Sequence, residues 1–211
     1  MPPLETLDLG RWTALWSRLG ARGDGLAIFT RLAAAYAEPA RAYHTAEHIQ
    51  DCLAHLDLFR QTAQRPDEAE AAIWFHDAVY LPGHPENEER SADLARTALA
   101  HAGVPPNMVK RVGNMILATR HQAAVEDRDA ALVCDIDLSV LGRSPNLFDR
   151  FEQQIRQEYA SLSESAYRNG RSQVLEKFLE RPAIYQTTPF RERYEAQARA
   201  NLARTLKKLR S

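Results

Sequence analysis

Cysteine is scarce in this chain: two residues, Cys52 and Cys134, among 211. Both sit in apolar, helix-like stretches, which favours buried free thiols over a disulfide and points to a reducing compartment. The opening residues MPPLETLDLG lack the basic region and apolar run of a signal peptide. No apolar run approaches membrane-spanning length. A cytoplasmic protein without membrane contact is therefore expected. Excess charge of one sign is missing too. Lys and Arg number 27 against 28 Asp and Glu, a net charge of −1, so nothing marks a footprint for a nucleic-acid polymer. Glycine is limited to nine residues, and β-branched residues form no alternating runs, which argues against a sheet. Internal repeats and low-complexity segments are absent.

What is present favours helix. Alanine, leucine, arginine and glutamate dominate, and all four tolerate helical backbone well. Short helices are expected over 11–19 and 25–37, separated by Gly20, Gly23 and Gly25 and closed by Pro39. A third starts near Thr45, with Ile49, Cys52, Leu53, Leu56 and Phe59 at helical spacing. Asp67 and Glu70 read as a cap and its reciprocal partner, opening a helix through Tyr80. After the Pro82-Gly83 and Pro85 loop, helices are expected over about 87–102, from Pro105-Pro106 to His121, over 128–141 and from Ser144-Pro145. Two more cover about 164–180 and the stretch from Thr188-Pro189 towards Leu209. No linker is long or biased enough to mark a boundary, so residues 1–211 are expected to form one all-α domain.

Three clusters carry the chemistry. His44 and His48 are four apart in Tyr43–His48, which puts them on one helical face if both are helical. Histidines that pack and cap are the plainer alternative. His76-Asp77 lies within the apolar segment Ala72–Tyr80, where an ionised carboxylate costs several kcal/mol unless it is paired or bound to a cation. A metal resolves that cost, and so does an arginine. Asp135 and Asp137 lie in the apolar stretch Leu132–Leu141, about 200° apart on a helical wheel, so at least one faces inward. Together the clusters offer a nitrogen and oxygen donor set suited to a divalent transition metal.

The order His48, then His76-Asp77, then a distant helical aspartate resembles the HD superfamily of metal-dependent phosphohydrolases. More narrowly, the chain resembles a bacterial HD-domain family through YHTAEHI (43–49), AIWFHDAVY (72–80), NEERSA (87–92), ILATRH (116–121), DIDLSVLG (135–142), GRSQVLEKFL (170–179) and EAQARANL (195–202). The resemblance implies an HD-domain-like helical bundle holding a divalent ion, one of Mn, Fe, Mg, Co, Ni or Zn. It also implies hydrolysis of a nucleotide or other small phosphate ester by metal-activated water. A local similarity to cyclic-nucleotide phosphodiesterases, through Tyr43-His44…His48, His76-Asp77 and Asp137-Leu138-Ser139, refines the assignment. It makes His44 the general acid, with Asp77 beside it in catalysis, and His48, His76, Asp77 and Asp137 the ligands.

Asp135 then stands behind the ligand or replaces it, and His121 resembles a histidine that some HD proteins place near substrate or a second metal. Thr45 replaces that pattern's asparagine and Tyr80 a further histidine, so a single ion is expected rather than a two-metal phosphodiesterase centre. Asn87, Glu88, Arg120 and Arg171 are candidates for binding substrate, arginine because it grips phosphate with two parallel hydrogen bonds. A function of a different class, a catalytically silent metal-holding sensor or partner-binding module, uses the same ligands.

Overall fold

Proline and glycine decide where most of the helices begin and end. The computed structural model describes residues 7–211, and the amino-terminal stretch read above for a signal peptide starts outside them. Among the described residues there are ten α-helices and no strand, so the fold is all-α. They are α1 (Leu9–Arg18), α2 (Leu26–Tyr36), α3 (Ala46–Phe59), α4 (Pro66–Phe75), α5 (Asn87–His101), α6 (Pro106–Ala118), α7 (Arg128–Asp137), α8 (Pro145–Glu158), α9 (Glu164–Leu179) and α10 (Thr188–Arg210). Pro66, Pro106 and Pro145 open α4, α6 and α8, where a missing N–H costs nothing and the fixed φ suits a first turn. None of the helices, the 23-residue α10 included, is long and apolar enough to cross a membrane.

The described chain forms two compact units, one up to Ile136 and one from Asp137 onward. In the first unit α4 is buried all round from Glu68 to Phe75, with α1, α3, α5 and α6 packed on it. Trp12, Trp16 and Trp74 are core residues. The Trp12 ring lies 5.2 Å from Trp16, 5.3 Å from Trp74 and 5.9 Å from Phe75. Trp12 Nε1 donates to the Gly25 carbonyl at 3.0 Å. That carbonyl approach needs glycine: φ at Gly25 is 68°, and a Cβ there would sit 2.8 Å from both indoles.

Three buried carboxylates in this unit, Glu68, Glu70 and Asp129, are met by guanidinium groups. Glu68 takes two bonds from Arg111 at 2.6 and 2.7 Å. Glu70 is held by Arg11, Arg18 and Arg60 at 2.7, 2.8 and 3.0 Å. Asp129 accepts from the amides of Gln64 and Arg65 and pairs with the Arg65 side chain. The capping role expected of Asp67 and Glu70 is thereby corrected. Arg65 is the N-cap and makes no side-chain cap, and Asp67 lies inside the first turn, paired with Arg18 and Arg60. Pro66 starts the helix two residues too early for Asp67 to cap it.

In the second unit α9 and α10 pack together, and α10 also covers the 3₁₀ turn Leu138–Gly142. Gly142 permits this contact, because a Cβ there would meet the Tyr194 Cβ at 2.5 Å. Asn201 Nδ2 donates to the carbonyls of Leu141 and Arg143, both at 2.9 Å. Glu195 accepts from the amides of Ile184 and Tyr185 at 3.0 and 3.2 Å. The segment EAQARANL is thus a scaffold that ties two turns to α10.

Candidate metal centre

Three side chains hold the end of α4 and the turn after it. A helix leaves its last carbonyls without partners, and here side chains take them. His76 Nδ1 donates to the Ile73 carbonyl at 2.9 Å. The Tyr36 hydroxyl donates to Trp74 O at 2.9 Å. Arg41, its guanidinium buried, donates to Asp77 O at 2.6 Å and Ala78 O at 3.4 Å, and also to His44 O at 3.2 Å. The helix therefore stops at Phe75 rather than running through Tyr80, and His76-Asp77 lies in the turn that follows. Beyond it Val79 exchanges two bonds with the Ser91 hydroxyl at 3.0 and 3.2 Å. Leu81 exchanges two with the Asn87 amide at 3.0 and 2.9 Å. The turn is clamped from α2, from the α2–α3 loop and from α5.

This clamp delivers a convergence of donors. His48 Nε2 and His76 Nε2 are 3.1 Å apart. Asp77 Oδ2 lies 3.1 Å from His76 Nε2 and 3.5 Å from His48 Nε2. Ligand atoms of His48, Cys52, His76 and Asp137 all lie within 4.8 Å of one another. Asp137 closes α7, an unbroken helix whose other residues belong to the first unit, so helix continuity places it here. With the Nδ1 proton of His76 committed to Ile73 O, a neutral ring would present a lone pair at Nε2 to a carboxylate and to a second imidazole. Only a proton or a cation between them makes that arrangement favourable. Metal–nitrogen bonds of about 2.1 Å put neighbouring donors roughly 3.0–3.4 Å apart in octahedral or tetrahedral geometry, which matches the observed separations. A backbone carbonyl on the far nitrogen is the usual way to fix the tautomer of a ligating histidine.

Asp77 differs from the buried carboxylates of α4 in meeting imidazole rather than guanidinium. Burial pushes its carboxyl upward. The charges of His76 and His44 and the hydrogen bonds from His48 and His76 outweigh that and hold it well below the usual range. The centre thus favours a carboxylate provided positive charge lies beside it.

Neither protein-family models, curated proteins nor solved structures yield a match to this chain.

The remaining candidates fall at different distances from the donors. His44 precedes α3 in a turn, half-buried, with its ring stacked on Tyr80 at 4.0 Å and 6.0 Å from the His48 ring. Tyr80, at the position of the phosphodiesterase pattern's further histidine, packs on His44. Asp135 is fully buried and stands outside the group formed by Asp137. His121 follows α6 with φ 55°, its N–H bonded to Ala118 O at 3.1 Å, and also stands outside that group. Asn87 spends its amide on Leu81. Glu88 and Glu89 both pair with Arg120, and Arg171 pairs with Glu152 in the second unit.

Two residues here were not singled out from sequence. Cys52 joins the donors, and its place four residues after His48 was the available signal. Arg41 left none, since nothing local distinguishes it from the other arginines.

Proposed function

We propose that this protein is a metal-dependent phosphohydrolase of the HD type, acting on a nucleotide or other small phosphate ester. The observation that carries the reading is the meeting of His48 Nε2, His76 Nε2 and Asp77 Oδ2 within 3.5 Å, joined by Asp137. These four residues would hold the ion. When bound, a divalent ion polarises a phosphoryl oxygen and lowers the pKa of water. Asp77 supplies the negative charge that retains it. His76 keeps its proton at Nδ1 on Ile73 O and its lone pair at Nε2 for the centre. His44, adjoining the donors from a half-buried turn, delivers a proton to the leaving oxygen in this reading. Its ring stacks on Tyr80, with centroids 4.0 Å apart.

The substrate class rests on the resemblance of the motifs and on a donor set suited to phosphate ester hydrolysis. A screen of phosphomonoesters, phosphodiesters and nucleoside triphosphates with metal-loaded protein tests it. Turnover in one of these classes is expected, with His44→Ala losing rate while retaining its metal. Silence of fully loaded wild-type protein across all three classes would transfer the reading to a metal-holding binding module.

A further inference from the structure

We propose that Cys52 is a thiolate ligand of this centre and biases it towards a borderline ion of the zinc type over magnesium or manganese. The inference rests on the metal-centre reading and adds to it a donor that the HD motifs do not contain. His48 and Cys52 stand one turn apart on α3 and project to the same face. Cys52 Sγ lies 3.7 Å from each ring nitrogen of His48. It also falls within the group whose ligand atoms are all within 4.8 Å of one another. Sγ stands beside the His48 ring, equidistant from its two nitrogens, so bonding an ion held at Nε2 requires a turn of the Cys52 side chain towards the other donors. Added to His48, His76, Asp77 and Asp137, Cys52 makes a two-nitrogen, one-sulfur, two-oxygen set, and the sulfur favours zinc or cobalt. The hard ions magnesium and manganese prefer oxygen donors.

The chemistry needs no oxidant. On metal binding the Sγ–H bond breaks, the proton leaves to solvent, and Sγ bonds the ion. Cys52 is 2% exposed, so its thiol is shielded from bulk reagents. The protein's other free thiol, Cys134, is a built-in control: it is buried and donates to Ala118 O at 3.2 Å, outside the donor group.

Cobalt(II) loading of the full chain tests the proposal by absorption rather than by activity. Wild type should show visible ligand-field bands and a near-ultraviolet thiolate-to-cobalt charge-transfer band. Cys134→Ser should keep both, and Cys52→Ser should keep ligand-field absorption but lose the charge-transfer band. Zinc affinity of Cys52→Ser should fall roughly 10–100-fold, the range known for loss of even an outer partner of a ligand. If Cys52→Ser does not fold, the band retained in Cys134→Ser still assigns the sulfur, because only Cys52 remains. Ligand-field bands without charge transfer in wild type would overturn the thiolate and leave the metal centre standing. A charge-transfer band lost in Cys134→Ser would also overturn it. Absence of any cobalt band would remove the metal centre itself, and this inference with it.

Discussion

Arg41→Ala should destabilise the first unit by about 3–5 kcal/mol. The guanidinium is buried and donates to the carbonyls of Asp77 at 2.6 Å and His44 at 3.2 Å. A buried carbonyl left without a partner costs about 1–3 kcal/mol. The half-buried His44 turn can recover some of that from water, so the two together contribute about 2–3. The guanidinium also lies 5.4 Å from the Tyr36 ring centre and 5.5 Å from that of Tyr80, worth about 0.5–1 kcal/mol each. The pair with the exposed Glu38 adds little. All three tryptophans lie in the first unit, so tryptophan fluorescence during urea unfolding of metal-free protein follows the affected region. The midpoint should fall with an unchanged slope. Arg41→Lys should recover part of the loss, because one ammonium can reach one of the carbonyls but not both. A loss below about 1 kcal/mol, in the range of an ordinary surface substitution, would show that Arg41 does not hold the turn.

Tyr36 carries a pH prediction. Burial, reinforced by the Asp77 charge, pushes its hydroxyl well above the ordinary value. Its contribution is therefore complete below about pH 10, the unfolded-state value, and is lost as pH rises through the folded value. The stability gap between wild type and Tyr36→Phe, measured by urea unfolding, should narrow above that pH, and a gap that stays constant there contradicts the assignment. Asp137→Asn should sharply reduce metal affinity, while Asp135→Asn should leave metal bound and alter stability or rate. Side-by-side metal titration decides the pair, and the opposite order would make Asp135 the ligand.

Helix order was legible because glycine and proline act locally. Pro66, Pro106 and Pro145 announce helix starts whatever surrounds them, and the indole-lined bend at Gly25 lies where the glycine-rich stretch predicts a break. The histidines and aspartates were legible because charge in an apolar segment demands a partner. What escaped depends on residues far away in sequence. The end of α4 is set by Tyr36 and Arg41, 38 and 36 residues from the carbonyls they meet. Asp67 and Glu70 have the spacing of a cap, yet their arginines come from 49 to 59 residues away in α1 and from the nearer Arg60. Cys52 read as a buried thiol because burial and ligation leave the same local pattern. Only the approach of His76 and Asp137 separates them.

Metal stoichiometry of the intact chain bears most directly on the central reading. Native mass spectrometry after zinc loading and removal of loosely held ions should show one ion per wild-type chain. His76→Ala, which deletes Nε2 together with the Nδ1 bond to the Ile73 carbonyl, should show none. Wild-type protein that retains no ion, or a His76→Ala variant that retains one as tightly as wild type, would contradict the assignment of these donors as a metal centre.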